Sequence, residues 1–279
     1  FDVDVASIGS GLARSGLDLG SPSLPVIGSP RVAMLTGDGI SAYNAGTVWR
    51  WFDVHLEQPI TMLDADDLPS DLGQYTHLVL PDGRYGSRAD AFDEALVDYV
   101  RGGGRLIALR GASEWVESLD LGWSFAEDQA ADESDEEDAD GQARRYDDYE
   151  LDAARQLIGG SALAVEIDPT HPLAWGYENG SDRRRLVLFR QGAHVLRDTD
   201  NAYARPGRYA AAPLVAGYLA DPVAEDLAGT TSLGADRLGA GLVIRMADDV
   251  LFRGYWAGAE KLFANAIFHG ERIGRTRLR

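Results

Sequence analysis

Short apolar runs alternate with segments of helical period through the first half of the chain. Apolar residues recur at helical spacing over residues 47–56 and 91–100, and turn-forming Gly, Pro and Asp bound the runs between them. The predicted strands are residues 31–36, 60–63, 77–80 and 105–109. Strands that alternate with helices at these lengths predict right-handed βαβ units, and hence an α/β fold with a parallel sheet covered on both faces.

The second half is less regular. Its strand candidates are residues 162–167, 185–189, 194–196 and 242–246, followed by a closing helix over 256–269. Gly239-Ala240-Gly241, just before the last of these strands, indicates a hairpin or a strand entry. We therefore expect antiparallel strands to extend a mostly parallel sheet.

Composition divides the chain into four parts. Residues 1–30 are rich in Gly, Ser and Pro and predict a linker, and the start at Phe1 suggests a piece of a longer protein with a domain upstream. Residues 31–270 form the α/β domain, and 271–279 form a C-terminal tail. Within the domain, residues 126–141 are a strongly acidic insertion that cannot bury enough apolar surface to order itself.

The net charge of −19 over 279 residues makes nucleic acid and anionic membrane surfaces poor partners. Lys261 is the only lysine, so arginine carries nearly all the positive charge. The absence of cysteine excludes disulfides and thiolate metal sites. No apolar run approaches the roughly 20 residues that a membrane span needs, so no membrane insertion is expected.

The acidic insertion partly matches a calcium-binding loop. Glu136, Asp138, Asp140, Gly141 and Asp147 fall on positions 1, 3, 5, 6 and 12 of an EF-hand pattern. Glutamate at position 1 and the shorter aspartate at position 12 weaken the match, so a solvated acidic loop is the favoured interpretation.

Polar residues follow several predicted strands where those strands end. In open α/β sheets, ligands bind beyond the carboxyl ends of the strands, so these residues could face one crevice. The crevice candidates are Gly37, Asp38, Gly39, Asp82, Gly83, Ser113, Glu114, His171, Asp248, Asp249 and Arg253. A plain turn is favoured over a ligand cradle at Gly37-Asp38-Gly39, which lacks the full GxGxxG pattern and a phosphate-binding lysine.

Asp248 and Asp249 have two interpretations. They could be a paired general acid and base, or one could cap the following turn while the other pairs with Arg253. The structural interpretation is favoured, because capping and ion pairing are commoner for aspartate at such a position. His171, in Thr170-His171-Pro172, is likewise favoured as a hydrogen-bonded structural histidine over a metal ligand.

Residues 104–115 predict a buried strand that runs into a sharp turn, the place where amidotransferase-like proteins mount a nucleophilic cysteine. The turn sequence Gly111-Ala112-Ser113-Glu114-Trp115 is GxSxW and lacks the second glycine of the GxSxG elbow. A hydrolase built on Ser113 would also need a histidine base, for which the downstream His171 and His269 are the candidates, and it is disfavoured.

Several separated motifs resemble, in the same order, the C-terminal glutamine-amidotransferase-like domain behind the peptidase domain of some bacterial M14-type zinc carboxypeptidases. The motifs are PRVAMLTGDGISAYNAGTVW at 30–49, VLPDG at 79–83, RGGGRLIA at 101–108, THPLAWGY at 170–177 and MADDVLFRGYW at 246–256. The resemblance runs from about residue 12 to about residue 270 and is interrupted by the acidic insertion.

This resemblance implies a three-layer αβα sandwich like a class I glutamine amidotransferase, which is flavodoxin-like. It implies a non-catalytic accessory domain whose partner is an upstream peptidase domain of the same polypeptide, and an exported, periplasmic or extracellular location. Zinc would belong to that upstream domain, and no cofactor is expected in this chain. The amidotransferase cysteine would map near Ala112 or Ser113, so no glutaminase activity is expected.

Overall fold

A computed structural model describes residues 4, 6–21, 26–126, 145–150, 155, 157–177, 184–192 and 194–274. The predicted acidic insertion and its calcium-loop pattern lie almost wholly outside these described residues. The described strands are β1 (Val32–Thr36), β2 (Thr61–Asp64), β3 (His77–Leu80), β4 (Arg105–Leu109), β5 (Ser161–Ile167), β6 (Arg184–Arg190), β7 (Gly207–Ala216), β8 (Thr231–Leu238) and β9 (Gly241–Met246). The described α-helices are α1 (Ala42–Arg50), α2 (Asp90–Arg101), α3 (Gly111–Trp115), α4 (Asp221–Leu227) and α5 (Ala257–His269).

The described strands form one mixed sheet in the order β2-β1-β3-β4-β9-β8-β7-β5-β6. The first five strands in this order pair in parallel. From β9 onward the neighbours are antiparallel. Register shifts between β5 and β7 and between β7 and β8 mark bulges in this antiparallel half. The predicted mostly parallel sheet with added antiparallel strands is therefore confirmed.

Helices cover both faces of the parallel half. Because side chains alternate along a strand, neighbouring residues of one strand join different cores. Met34 packs in the core that contains residues of α1 and α5, and Ala33 and Leu35 pack in the core that contains residues of α2 and α3. The fold is thus a three-layer αβα sandwich.

Local sequence explains the principal boundaries in the first half. The Ser41 hydroxyl caps α1 by accepting from the Asn44 N–H at 3.3 Å. A π-helical turn, Trp51–Leu56, continues α1 and ends where Glu57 adopts a left-handed φ of 52°. The predicted helix over residues 47–56 is therefore real but begins earlier, at Ala42.

The second half departs further from the sequence-based prediction. Residues 194–196, predicted as a strand, contribute only an isolated bridge between Leu196 and Thr231. Strands β7 and β8 and helix α4 were not predicted. The hairpin at Gly239-Ala240 is confirmed: it joins β8 to β9, with Leu238 opposite Gly241 and Gly239 at a φ of 62°.

Candidate functional site

The carboxyl ends of β3, β4 and β9 bring several polar side chains together. Strand β3 is followed by Asp82, β4 by Arg110 and β9 by Asp248 and Asp249, all at the same edge of the parallel half. We define the strand-end crevice by the side chains at its mouth: Asn44, Asp82, Arg110, Gln191 and Asp249.

Arg110 occupies the sharp turn after β4. Its φ of 51° and ψ of −122° give it a strained conformation for a residue with a side chain. The backbone is held there because the Arg110 N–H donates to the carbonyl of Met246 at 2.7 Å. A strained residue between a strand and a helix is the geometry of a nucleophile elbow. The elbow position is therefore Arg110, and the expected position near Ala112 or Ser113 is wrong by two or three residues.

The Arg110 guanidinium is held by two partners. Its Nη1 lies 2.9 Å from Oδ2 of Asp82, and its Nη2 donates to Oε1 of Gln191 at 3.1 Å. Asp82 is fixed in turn, since its Oδ1 accepts from the Gly111 N–H at 3.0 Å and its own N–H donates to Oδ1 of Asn44 at 2.8 Å. The side chain at the elbow is thus a cation neutralised by a neighbouring loop.

Asp248 belongs to a buried network behind this mouth. Its carboxylate is fully buried and accepts from the Tyr209 hydroxyl at 2.8 and 2.9 Å and from the Ser232 hydroxyl. Arg190, also buried, donates from Nη1 to the Tyr209 oxygen at 3.0 Å. Burial raises the pKa of Asp248, and the charge of Arg190 opposes that rise. With its oxygens engaged internally, Asp248 is poorly placed for general acid or base catalysis on a ligand.

Asp249 lies at the mouth of the crevice and caps the following turn. Its N–H donates to the carbonyl of Phe189 at 2.9 Å, and its Oδ1 accepts from the Leu251 N–H at 3.2 Å. Asp249 therefore caps the following turn, as the interpretation favoured from the sequence predicts. Arg253, the expected ion-pair partner, instead has a φ of 51° and places its guanidinium over the Phe252 ring, 5.2 Å from the centroid.

Ser113 does not face the crevice. The residue is fully buried, and its hydroxyl donates to the carbonyl of Arg110. Glu114 is exposed, with Oε1 3.5 Å from Nδ1 of His194, a histidine that the sequence reasoning left out. Burial, together with the charges of Arg190 and Arg245, lowers the pKa of His194 to about 4. A Ser113 nucleophile is accordingly not supported, because its proton is already committed to a backbone carbonyl.

Gly37, Asp38, Gly39 and Gly83 form a tight contact between two loops. The Arg84 N–H donates to the carbonyl of Gly39 at 2.9 Å, and Ile40 bridges to Gly83. A Cβ on Gly83 would come within 3.0 Å of the Gly39 carbonyl oxygen, so glycine is needed for this approach. The favoured interpretation of this segment as a turn agrees with these contacts.

His171 lies beside α5 and does not join the crevice. Its Nδ1 accepts from the Leu173 N–H at 3.2 Å, and burial lowers its pKa to about 4. The turn that it caps is tied to α5 by Asn265, which donates to the carbonyls of Leu173 and Trp175. The expectation that His171 lines the crevice is therefore wrong, and these contacts fit its interpretation as a structural histidine.

Across the parts of the chain that the structure describes, no group of three or more His, Asp or Glu side chains is placed to hold a metal ion. Over the same residues, no helix has the length and apolar character of a bilayer span.

Comparison with known proteins supports the fold. PurLQS from Thermotoga maritima has a TM-score of 0.50 at 11% identity over 86% of this chain and 98% of that chain. A glutamine amidotransferase from Thermotoga maritima gives a TM-score of 0.42 at 12% identity over 87% of this chain and 88% of that chain. No family model and no curated protein matches the sequence. The likeness to PurLQS therefore supports the α/β fold, and at 11% identity it extends to the fold alone.

Sequence reasoning found the acidic residues of the crevice but missed Asn44, Arg110 and Gln191. Aspartate after a strand is a recognisable signal, and Asp82 and Asp249 were identified from it. Arg110 carried only one signal, its place between the predicted strand and the sharp turn. Gln191 reaches the crevice from the end of β6, a contact that no local pattern indicates.

Proposed function

We propose that this chain is a non-catalytic domain built on the amidotransferase-like scaffold. The observation that carries the proposal is Arg110 at the elbow, with its guanidinium bound to Asp82. A guanidinium stays protonated in proteins and cannot act as a nucleophile. The elbow geometry is kept while its chemistry is replaced by an ion pair, which favours a binding or structural role for the crevice.

The finer proposal is that the chain accompanies a zinc carboxypeptidase domain located upstream in the same polypeptide. Its support is the ordered set of sequence motifs, including the Thr170–Tyr177 and Met246–Trp256 segments. On this proposal, zinc and peptide hydrolysis belong to the upstream domain, and the parent protein acts outside the cytoplasm. This chain would contribute stability, substrate range or attachment.

Two measurements test the role. The isolated chain, supplied with zinc, is assayed against a C-terminal dipeptide substrate, glutamine and a p-nitrophenyl ester, and no turnover above background is expected. Ser113→Ala and the matched surface variant Ser118→Ala should behave alike. Ester hydrolysis that disappears only in Ser113→Ala would overturn the non-catalytic proposal.

The second measurement concerns the accessory role. Deleting this chain from the full-length protein should change the thermal stability or the peptide range of the peptidase. Unchanged stability together with an unchanged peptide range would contradict the accessory role and leave the fold unaffected.

A second candidate function is the binding of a small ligand in the strand-end crevice. The specific observation that favours it is Asp249, a buried carboxylate whose Oδ2 has no hydrogen-bond donor within the described residues. This oxygen is not fully buried, and an accessible carboxylate oxygen at a strand end is a candidate ligand contact.

A further inference from the structure

The charges around the strand-end crevice do not balance. Asp82 is paired with Arg110 at 2.9 Å. Behind them, the charge of Asp248 is offset by Arg190, which reaches it through the Tyr209 hydroxyl. Among the described residues, Arg110 and Arg190 thus balance the charges of Asp82 and Asp248, and Asp249 has no ion pair of its own.

Asp249 is 8% exposed, and among the described residues only its Oδ1 accepts a hydrogen bond, from the Leu251 N–H. Burial raises its pKa, and the nearby charge of Arg110 opposes the rise. Its Oδ2 is not fully buried, so this oxygen stays accessible from the crevice. A mostly buried carboxylate with one accessible oxygen at a strand end is a candidate contact for a positively charged ligand group.

A second buried group in the same crevice also lacks a partner. Asn44 is 3% exposed, and its Oδ1 accepts from the Asp82 N–H, while its Nδ2 has no acceptor in the part of the chain that the structure describes. Neither observation depends on the other, since one concerns a missing donor and the other a missing acceptor.

We propose that the strand-end crevice binds the protonated primary amine of a small organic ligand through Oδ2 of Asp249. This proposal deepens the second candidate function and is independent of the accessory role.

The geometry distinguishes an ammonium from other cations. A guanidinium pairs best with both oxygens of a carboxylate side by side, but Oδ1 of Asp249 is already taken by a backbone N–H. A divalent metal ion needs several oxygen ligands, and the described residues offer no cluster of three acidic or histidine side chains. An ammonium is a compact single charge that one free oxygen can bind.

The test is a titration of the whole chain with ethanolamine hydrochloride, in parallel with ethylene glycol, methylguanidine, sodium chloride and calcium chloride. Binding is followed by calorimetry and by the carbon chemical shift of the Asp249 carboxyl group. Ethanolamine should bind saturably and shift that resonance, and it should bind at least about tenfold more tightly than the other four, as expected for a charge-assisted contact.

Asp249→Asn should weaken ethanolamine binding by about tenfold or more. The matched variant Asp226→Asn, at an exposed position in α4, should leave it unchanged. If Asp249→Asn fails to fold, the carboxyl resonance of the unaltered protein still decides the question. The proposal is overturned if ethanolamine does not bind, if Asp249→Asn binds it equally well, or if calcium or methylguanidine binds more tightly at Asp249. None of these outcomes tests the accessory role, which the deletion measurement tests separately.

Discussion

A positive φ at a residue with a side chain costs roughly 1–3 kcal/mol, and it persists only where the surroundings enforce it. The positive φ of Arg110 is held in place by contacts of both its backbone and its side chain. Its N–H is bound to Met246 at 2.7 Å, and its guanidinium is bound to Asp82 at 2.9 Å. The strained backbone directs the side chain into the strand-end crevice, so strain and ion pair belong to one local arrangement.

Comparing Arg110→Gly with Arg110→Ala measures that strain. Both substitutions remove the ion pair, but only glycine accepts a φ of 51° without a Cβ penalty. After allowing for the larger entropy of unfolded glycine, we expect Arg110→Gly to be about 1 kcal/mol more stable than Arg110→Ala in urea unfolding. At Arg101, within α2, we expect the opposite order: Arg101→Ala should be more stable than Arg101→Gly. Equal stabilities at position 110 would show that no strain is stored there.

His77 predicts a pH dependence. It is 1% exposed, and burial, with the charge of Arg105, lowers its pKa to about 3. An unfolded histidine titrates near its ordinary value of about 6.5, so below that pH the unfolded state takes up a proton that the folded state does not. The contribution of His77 to stability should therefore fall by about 1 kcal/mol between pH 6.5 and 5.5.

The measurement for His77 is urea unfolding at several pH values, for the unaltered chain and for His77→Gln. The variant is expected to be less stable throughout, because His77 contacts Thr76 and Arg105. Its decline in stability over the stated pH range should nevertheless be shallower. Parallel pH profiles would mean that His77 binds its proton equally in both states.

At the scale of secondary-structure elements, close approach between the β8–β9 hairpin and the end of α2 depends on Gly241. A Cβ at this position would lie 2.1 Å from the Val100 carbonyl oxygen and 2.7 Å from that of Gly104. We expect Gly241→Ala to destabilise the chain by roughly 1–3 kcal/mol or more, since backbone atoms must move. Gly258→Ala, in α5 with nothing within 4 Å of the added Cβ, should instead stabilise it by roughly 0.5–1 kcal/mol. Thermal unfolding of both variants checks the pair, and a loss of stability in Gly258→Ala would contradict the argument.

The elements were predictable where sequence period and burial agree. Strands β1, β3 and β4 lie inside the sheet and are continuous apolar runs bounded by Gly, Pro or Asp. Strand β7 was missed because its burial does not alternate cleanly and its pairing with β5 and β8 contains bulges. Residues 194–196 have the composition of a strand, but their pairing stops at a single bridge.

Across the whole molecule, two buried arginines tie the antiparallel half to the parallel half. Arg245 of β9 contacts Glu117, which follows α3, and lies 3.1 Å from Asp236 of β8. Arg190 of β6 reaches the end of β9 through Tyr209 and Asp248. Sequence alone could not predict these contacts, because an isolated arginine in a strand shows neither its burial nor its partner. The distant halves are thus joined by charges that are shielded from solvent.

The exposed charge of the molecule should behave differently from these buried pairs. At pH 7 the net charge of −19 makes the folded state repel itself, and salt screens this repulsion. We expect the urea midpoint at pH 7 to rise between 20 and 500 mM sodium chloride, and equally with potassium chloride. Near pH 4.5, the isoelectric point expected from the sequence, the net repulsion is small and the salt effect should largely vanish. A salt response of the same size at both pH values would mean that it arises from specific ion binding or from ion pairs rather than from net charge.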